Sequence, residues 1–313
     1  MPQILSRLKF FCRWLIPGGT LFFLVTALQA NWQEVASIRI EPLGWATLAI
    51  ALGITLIAHI WSGWVWTWIL EELYQPLANS QFILVYLQTN IAKYLPGNIW
   101  HFYGRIAAAK KAGITGSIAT LSVLLEPLIM ASAALIIVLL GIQSVSINSH
   151  RNIQGWLVLV LAGVLTAVHP RFLNAALRFL SRFKLKSTQS SEVNVSSFQV
   201  KCYPLRPLLG ELGFIGLRGI GFVLTLFALT PVEINRIPLL FSAFSLAWLF
   251  GLMIPGSPGG LGVFEVTAIA LLQQSFSAGL VISAVALYRL VSILAEASGA
   301  ALAWLDSRRF QKL

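Results

Sequence analysis

The 313-residue chain is 57% hydrophobic and 11% charged, with a mean hydropathy of +0.80. A soluble globule is excluded, because about a quarter of its residues must be charged to cover its outside, and so is disorder, which needs low hydrophobicity. What remains is an all-α integral membrane protein in one domain over 1–313, whose net charge of +11 follows from basic loops on one side of the bilayer and needs no nucleic-acid partner.

In chain order, basic and polar residues precede an apolar run from Trp14 to Gln29. Leu28-Gln29-Ala30 weakly resembles a signal-peptidase site, but the spans that follow favour an uncleaved first helix. Further apolar segments cover 43–70, 114–141, 153–169, 207–230 and 280–305. Each is expected to cross a hydrocarbon core about 30 Å thick at 1.5 Å per residue, with the first and fourth of the six runs short.

Two other apolar stretches, 82–109 and 238–275, are interrupted near their middles. The interruptions are Pro96-Gly97-Asn98 and the run Pro255-Gly256-Ser257-Pro258-Gly259-Gly260-Leu261-Gly262. Proline removes a helical donor and glycine favours reversal, so each stretch is predicted to be two half-helices meeting at a re-entrant turn. Between the halves, 170–206 is basic and serine-rich and is expected to be a solvated cytoplasmic linker. Its Asn194-Val195-Ser196 sequon is then never glycosylated, and Cys12 and Cys202 stay reduced.

If both broken stretches are hairpins, basic residues concentrate on one side: before the first span, at Lys110 and Lys111, in the linker and at Arg308, Arg309 and Lys312. Only Arg39, Arg151 and Arg236 fall on the other side. Both termini are therefore predicted to be cytoplasmic. The same assumption makes 43–141 and 207–305 two span–hairpin–span units of opposite orientation, an inverted-topology repeat of the kind found in many transporters.

The ionisable residues left inside spans are Lys93, Arg105, Arg218 and Arg289 against Glu126, Glu211, Glu265 and Glu296. An ionised group at mid-span costs about 2.5–3.5 kcal/mol on insertion scales, so these should face the protein interior and pair. Overlaying Pro96 on Pro255 carries Arg105 to 264, beside Glu265, and Glu126 to 285, one turn before Arg289. The halves thus offer opposite charges at similar depths. A network of Arg105, Glu126, Glu265 and Arg289, with Lys93, either holds a lipid head group, guanidinium forks on phosphate, or only locks helices together. Glu211, near a span end, is expected at the interface.

The turn glycines Gly256, Gly259, Gly260 and Gly262 suit either an anion-holding nest or merely a tight hairpin. Trp61, Trp64 and Trp68 share a helix face opposite Trp66, the pattern of interfacial anchors. His101, one turn from Arg105, is a candidate for a proton or hydrogen-bond role. No nucleophile triad, zinc helix or Cys-His cluster is present in the sequence, so no catalytic residue, metal or cofactor is expected.

The run from Lys93 through Pro96-Gly97-Asn98 and His101 to Arg105, together with Pro258-Gly259-Gly260-Leu261-Gly262-Val263-Phe264-Glu265, resembles the two signature segments of the lysylphosphatidylglycerol synthase transmembrane-region family, flippase-like multi-pass proteins. The likeness covers most of the chain. It implies the membrane half alone, without the soluble aminoacyl-transfer domain, in a bacterial cytoplasmic membrane. It also implies functional roles for Lys93, Pro96, Gly97, Arg105, Gly259, Gly260, Gly262 and Glu265.

The expected function is lipid translocation, flippase or scramblase-like, with membrane lipids as partners. The rival is a non-transporting subunit that binds a lipid or a glycosyltransferase-type partner. A second copy of the chain is a further partner left open. An enzyme acting on a lipid-linked sugar lacks an identifiable nucleophile.

Overall fold

The computed structural model describes residues 25–26, 28–73, 81–95, 98–141, 150–182, 203–254 and 258–310. Among them the chain is helical, without strands. The helices are α1 (Trp32–Ser37), α2 (Pro42–Leu73), α3 (Gln81–Asn90), α4 (Trp100–Lys111), α5 (Gly116–Gly141), α6 (His150–Ala167), α7 (Pro170–Arg182), α8 (Leu205–Phe227), α9 (Ile237–Met253), α10 (Val263–Leu272) and α11 (Ala278–Phe310). A 3₁₀ turn, Ile91–Tyr94, continues α3, and another, Pro258–Gly260, precedes α10.

Five helical segments are long and apolar enough to cross a bilayer: Pro42–Leu73, Gly116–Gly141, Leu205–Phe227, Ile234–Met253 and Ala278–Asp306. The protein is a helical membrane protein. The short predicted span at 153–169 lies in α6, whose 18 residues make about 27 Å of helix against a core of about 30 Å. The two broken stretches are also unequal. Helices α3 and α4 have 10 and 12 residues, too short to cross alone, whereas the second stretch pairs a 20-residue segment with the 10-residue α10.

The linker expectation needs correcting over its first third. Residues Pro170–Arg182 form α7, which packs on α5 and buries Leu173 while Phe172, Arg171 and Arg178 stay exposed. Apolar positions spaced three and four apart among arginines make an amphipathic surface helix, a period hidden by the segment's overall polarity. Residues 183–202 of the linker, with Cys202 and the sequon, lie outside the described residues, as do Cys12 and most of the first apolar run.

The closest helix pair is α2 with α8. Ala51, Thr55, Ala58 and Ser62 lie on one stripe of α2 and are fully buried. Facing them, a Cβ on Gly221 would come within 2.5 Å of Thr55 Oγ1, and one on Gly210 within 2.6 Å of Val65 Cγ2. Small residues let backbones approach where lipid offers no hydrophobic drive. The hydroxyls of Thr55 and Thr225 donate to the carbonyls of Ala51 and Gly221, so they are buried without loss.

The other pairings among α2–α5 and α8–α11 come in matched sets. Helix α5 packs on α9 and α11 on α3; α11 packs on α2 and α5 on α8; α4 packs on α5 and α10 on α11. Exchanging α2–α5 for α8–α11 maps each pairing onto another that is also present. In one half, Phe222, Phe244, Phe264 and Tyr288 from four helices form an aromatic cluster with centroids 5.4–6.3 Å apart. In the other, Trp66 meets Phe82 edge-on at 5.7 Å.

Candidate functional site

The two 3₁₀ turns touch. Tyr94 lies flat against Gly259, where a Cβ would meet the ring at 2.5 Å, and Gly259 has φ +60. Glycine is required there both by the close approach and by the left-handed backbone. Gly260 and Gly262 are also left-handed, as is Asn98 at φ 50 on the opposite turn. Pro96, Gly97, Pro255 and Gly256 lie outside the described residues.

Beside the touching turns is a cavity of about 300 Å³. Its polar wall is Lys93, Asn98, His101, Arg218, Arg289, Ser292 and Glu296, with Gly259 and Gly260 from the second turn. The remaining wall is apolar, and includes Leu124 and Leu128 of α5, both exposed at the outside of the bundle. The space therefore runs from a charged interior to the face that meets the surroundings. At this size it takes a small polar group, at the lower end of ligand pockets.

Glu296 of α11 organises the charged wall. Its carboxylate, 1% exposed, accepts from Lys93 Nζ at 2.7 Å and lies 3.2 Å from His59 Nε2 and 3.6 Å from Arg218 Nη1. His59 Nε2 and Arg218 Nη1 are 2.9 Å apart. One carboxylate thus gathers side chains from α2, the first turn and α8. Among the described residues, polar atoms on the wall are left without a partner: His101 Nδ1, Arg218 Nε, Ser292 Oγ and Glu296 Oε2. Buried polar groups are normally satisfied, so these are the positions at which a polar guest or water completes the site.

Two further ion pairs flank this centre. Arg289 Nε meets Glu265 Oε1 at 2.6 Å, and its other nitrogens donate to the carbonyls of Gly259 at 3.1 Å and Gly260 at 3.4 Å. Glu265 Oε2 also accepts the Gly262 N–H at 2.6 Å. The Gly262 donor of the glycine nest is therefore already filled by the protein's own anion. On the other side, Arg105 Nη1 donates to Glu126 Oε2 at 2.5 Å, with the guanidinium 3.7 Å above the Tyr86 ring. Tyr86 exchanges a 2.6 Å hydrogen bond with Ser62.

The sequence-predicted residues are thus distributed rather than merged. Arg105 with Glu126 and Glu265 with Arg289 form separate pairs; Lys93 and Arg289 reach the cavity, and Arg105 and Glu126 do not line it. His101 lines it, buried, with its ring on Phe102. Glu211, expected near the interface, is fully buried against its neighbours, and α8 packs closely on α2 along its first turns. Trp61 is partly buried and donates to the Gly210 carbonyl at 2.8 Å, Trp66 is fully buried, and Trp64 alone of the four is exposed.

Sequence reasoning singled out Arg218 and Glu296 among the in-span charges but left both out of the network, and it passed over His59. A usable signal was present. His59 and Arg218 are 159 positions apart, the same shift that superposes the two Pro-Gly breaks. No family model matches the chain, and no curated protein matches it either.

Proposed function

We propose that the chain is a membrane lipid translocase, flippase or scramblase-like, in which a polar head group passes through the cavity between the turns while its tails stay in lipid. The single observation that carries this reading is that cavity. It joins three cationic side chains and one carboxylate to an apolar wall reaching the outside of the bundle. A head group crossing bare hydrocarbon loses its hydration without compensation, and fixed partners replace that water.

The architecture proposed with it is a pair of inverted repeats, α2–α5 and α8–α11, each with a re-entrant hairpin. The matched helix pairings support it, as do the contact between the two turns and the shortness of α3, α4 and α10. The resemblance to the lysylphosphatidylglycerol synthase transmembrane region belongs to the same proposal. So does residence in a bacterial cytoplasmic membrane with both termini inside, which rests on the distribution of basic residues.

One observation favours the rival, a non-transporting subunit: Arg105–Glu126 and Arg289–Glu265 are closed pairs that can serve packing alone. Reconstitution separates the two. A translocase moves fluorescent phospholipid between leaflets of vesicles, and Lys93→Met slows that movement at least tenfold while the protein stays folded, because Glu296 keeps His59 and Arg218. Vesicles in which the intact chain moves no lipid would leave the subunit reading.

A further inference from the structure

Away from the cavity lies a second group of buried ionisable side chains. Glu211 on α8 is fully buried, and among the described residues neither of its carboxylate oxygens has a hydrogen-bond partner. Glu126 on α5 and Arg105 on α4 are within electrostatic reach of it. Tyr86 comes from α3, and α2 contributes Ser62 and Trp66, which carry no charge. Glu126 Oε1, Arg105 Nε and Trp66 Nε1 are also buried without partners. The cluster therefore holds two carboxylates and one guanidinium, and the Arg105 Nη1 donor goes to Glu126.

An ionised carboxylate inside a membrane span, with no hydrogen-bond donor and beside a cation already paired with another carboxylate, is among the costliest arrangements a protein can hold. Two carboxylates that share one site are relieved when a single proton is held between them. We propose that Glu211 and Glu126, set over the single cation Arg105, form a proton-binding site separate from the lipid cavity. Loading forms one O–H bond on a Glu211 oxygen, with the proton taken from hydronium and water left behind; unloading reverses it. Access comes from the near end of α8. Glu211 lies six residues, about 9 Å of helix, from Leu205, next to the exposed Arg206, whose guanidinium pairs with Glu71 at 3.1 Å.

The site itself is independent of the translocase reading; only its use to drive lipid movement rests on that reading. The test is infrared spectroscopy of the full chain in lipid nanodiscs at neutral pH. A protonated carboxyl stretch is expected in the intact protein, lowered in frequency by ¹³C-labelled glutamate and lost in Glu211→Gln. Should that variant not fold, Glu211→Asp must keep the stretch and remove its response to the glutamate label. A wild-type spectrum without the stretch, or one unchanged in Glu211→Gln, overturns the proposal. Lipid movement under an imposed pH gradient is read separately: a chain that moves no lipid under any gradient overturns the translocase reading, and the infrared result still decides the proton site.

Discussion

Replacing Glu296 with glutamine removes one charge and almost no volume, and its effect follows from what surrounds the carboxylate. Lys93 Nζ at 2.7 Å and Arg218 Nη1 at 3.6 Å would be left facing one another with no anion between them. At an effective dielectric constant of about 20, each contact is a gross attraction of roughly 5–6 kcal/mol. Most of that offsets desolvation, and breaking a buried pair costs about 3–5 kcal/mol net. The folded-to-unfolded ratio should therefore fall by about two to nearly four orders of magnitude. Unfolding in mixed micelles, followed by titration with a denaturing detergent, measures the loss. The decisive comparison is with Lys93→Met and the double variant. If Lys93 and Glu296 interact as the geometry requires, the double variant is less destabilised than the sum of the singles by about 1–3 kcal/mol. Additivity within about 0.5 kcal/mol would refute the hub.

Two other perturbations test the frame that carries the site. Gly210→Ala places a methyl 2.6 Å from Val65 Cγ2 and 2.9 Å from Trp68 Cζ3, so it should cost about 1–3 kcal/mol and be largely rescued by Val65→Ala; a fully tolerated alanine contradicts the close α2–α8 crossing. At the membrane-external start of α11, Glu34 accepts from the Ser277 side chain and from the Gly279 N–H at 3.0 Å, and these bonds hold its carboxyl below the ordinary value of 4.5. A lowered folded value stabilises the fold above the unfolded value, and the benefit disappears as pH falls through the folded one. The gap in thermal midpoint between wild type and Glu34→Gln should accordingly be constant at neutral pH and close on acidification below 4.5; a gap independent of pH removes the cap.

The class of fold was legible because apolar runs of membrane length leave few alternatives, and the long helices α2, α5, α8 and α11 coincide with predicted spans. The charges inside spans were legible too, since their cost forces them inward, and the four residues of the expected network form two separate ion pairs. What failed was radial position. Glu211 sits near a helix end in sequence, but depth along a helix says nothing about which face is packed, and glycines at 210 and 213 bring α2 tightly against it. The hub at Glu296 was hidden for a related reason: its partners come from positions 59, 93 and 218, and no local pattern links residues brought together only by helix crossings.

The interior charges divide by what they balance. Arg105–Glu126 and Glu265–Arg289 each join a short helix to a long one, α4 to α5 and α10 to α11, with the order of signs reversed between the two pairs. Such helices are too short to hold themselves in register, and a displaced ion pair inside lipid is costly enough to fix it. The remaining four groups do not balance locally: Lys93 and Arg218 share Glu296 at the cavity, leaving one positive charge in excess, while Glu211 stands alone as one negative charge beside Arg105 and Glu126. On the proposed translocase reading, a proton on Glu211 leaves the bundle with a net positive charge at the cavity for an anionic head group to neutralise. By linkage, each then strengthens the binding of the other by the same factor. In such a translocase, proton release from Glu211 on one side of the membrane would weaken the hold on the anion, and the polarity of a pH gradient would set the direction in which the head group leaves.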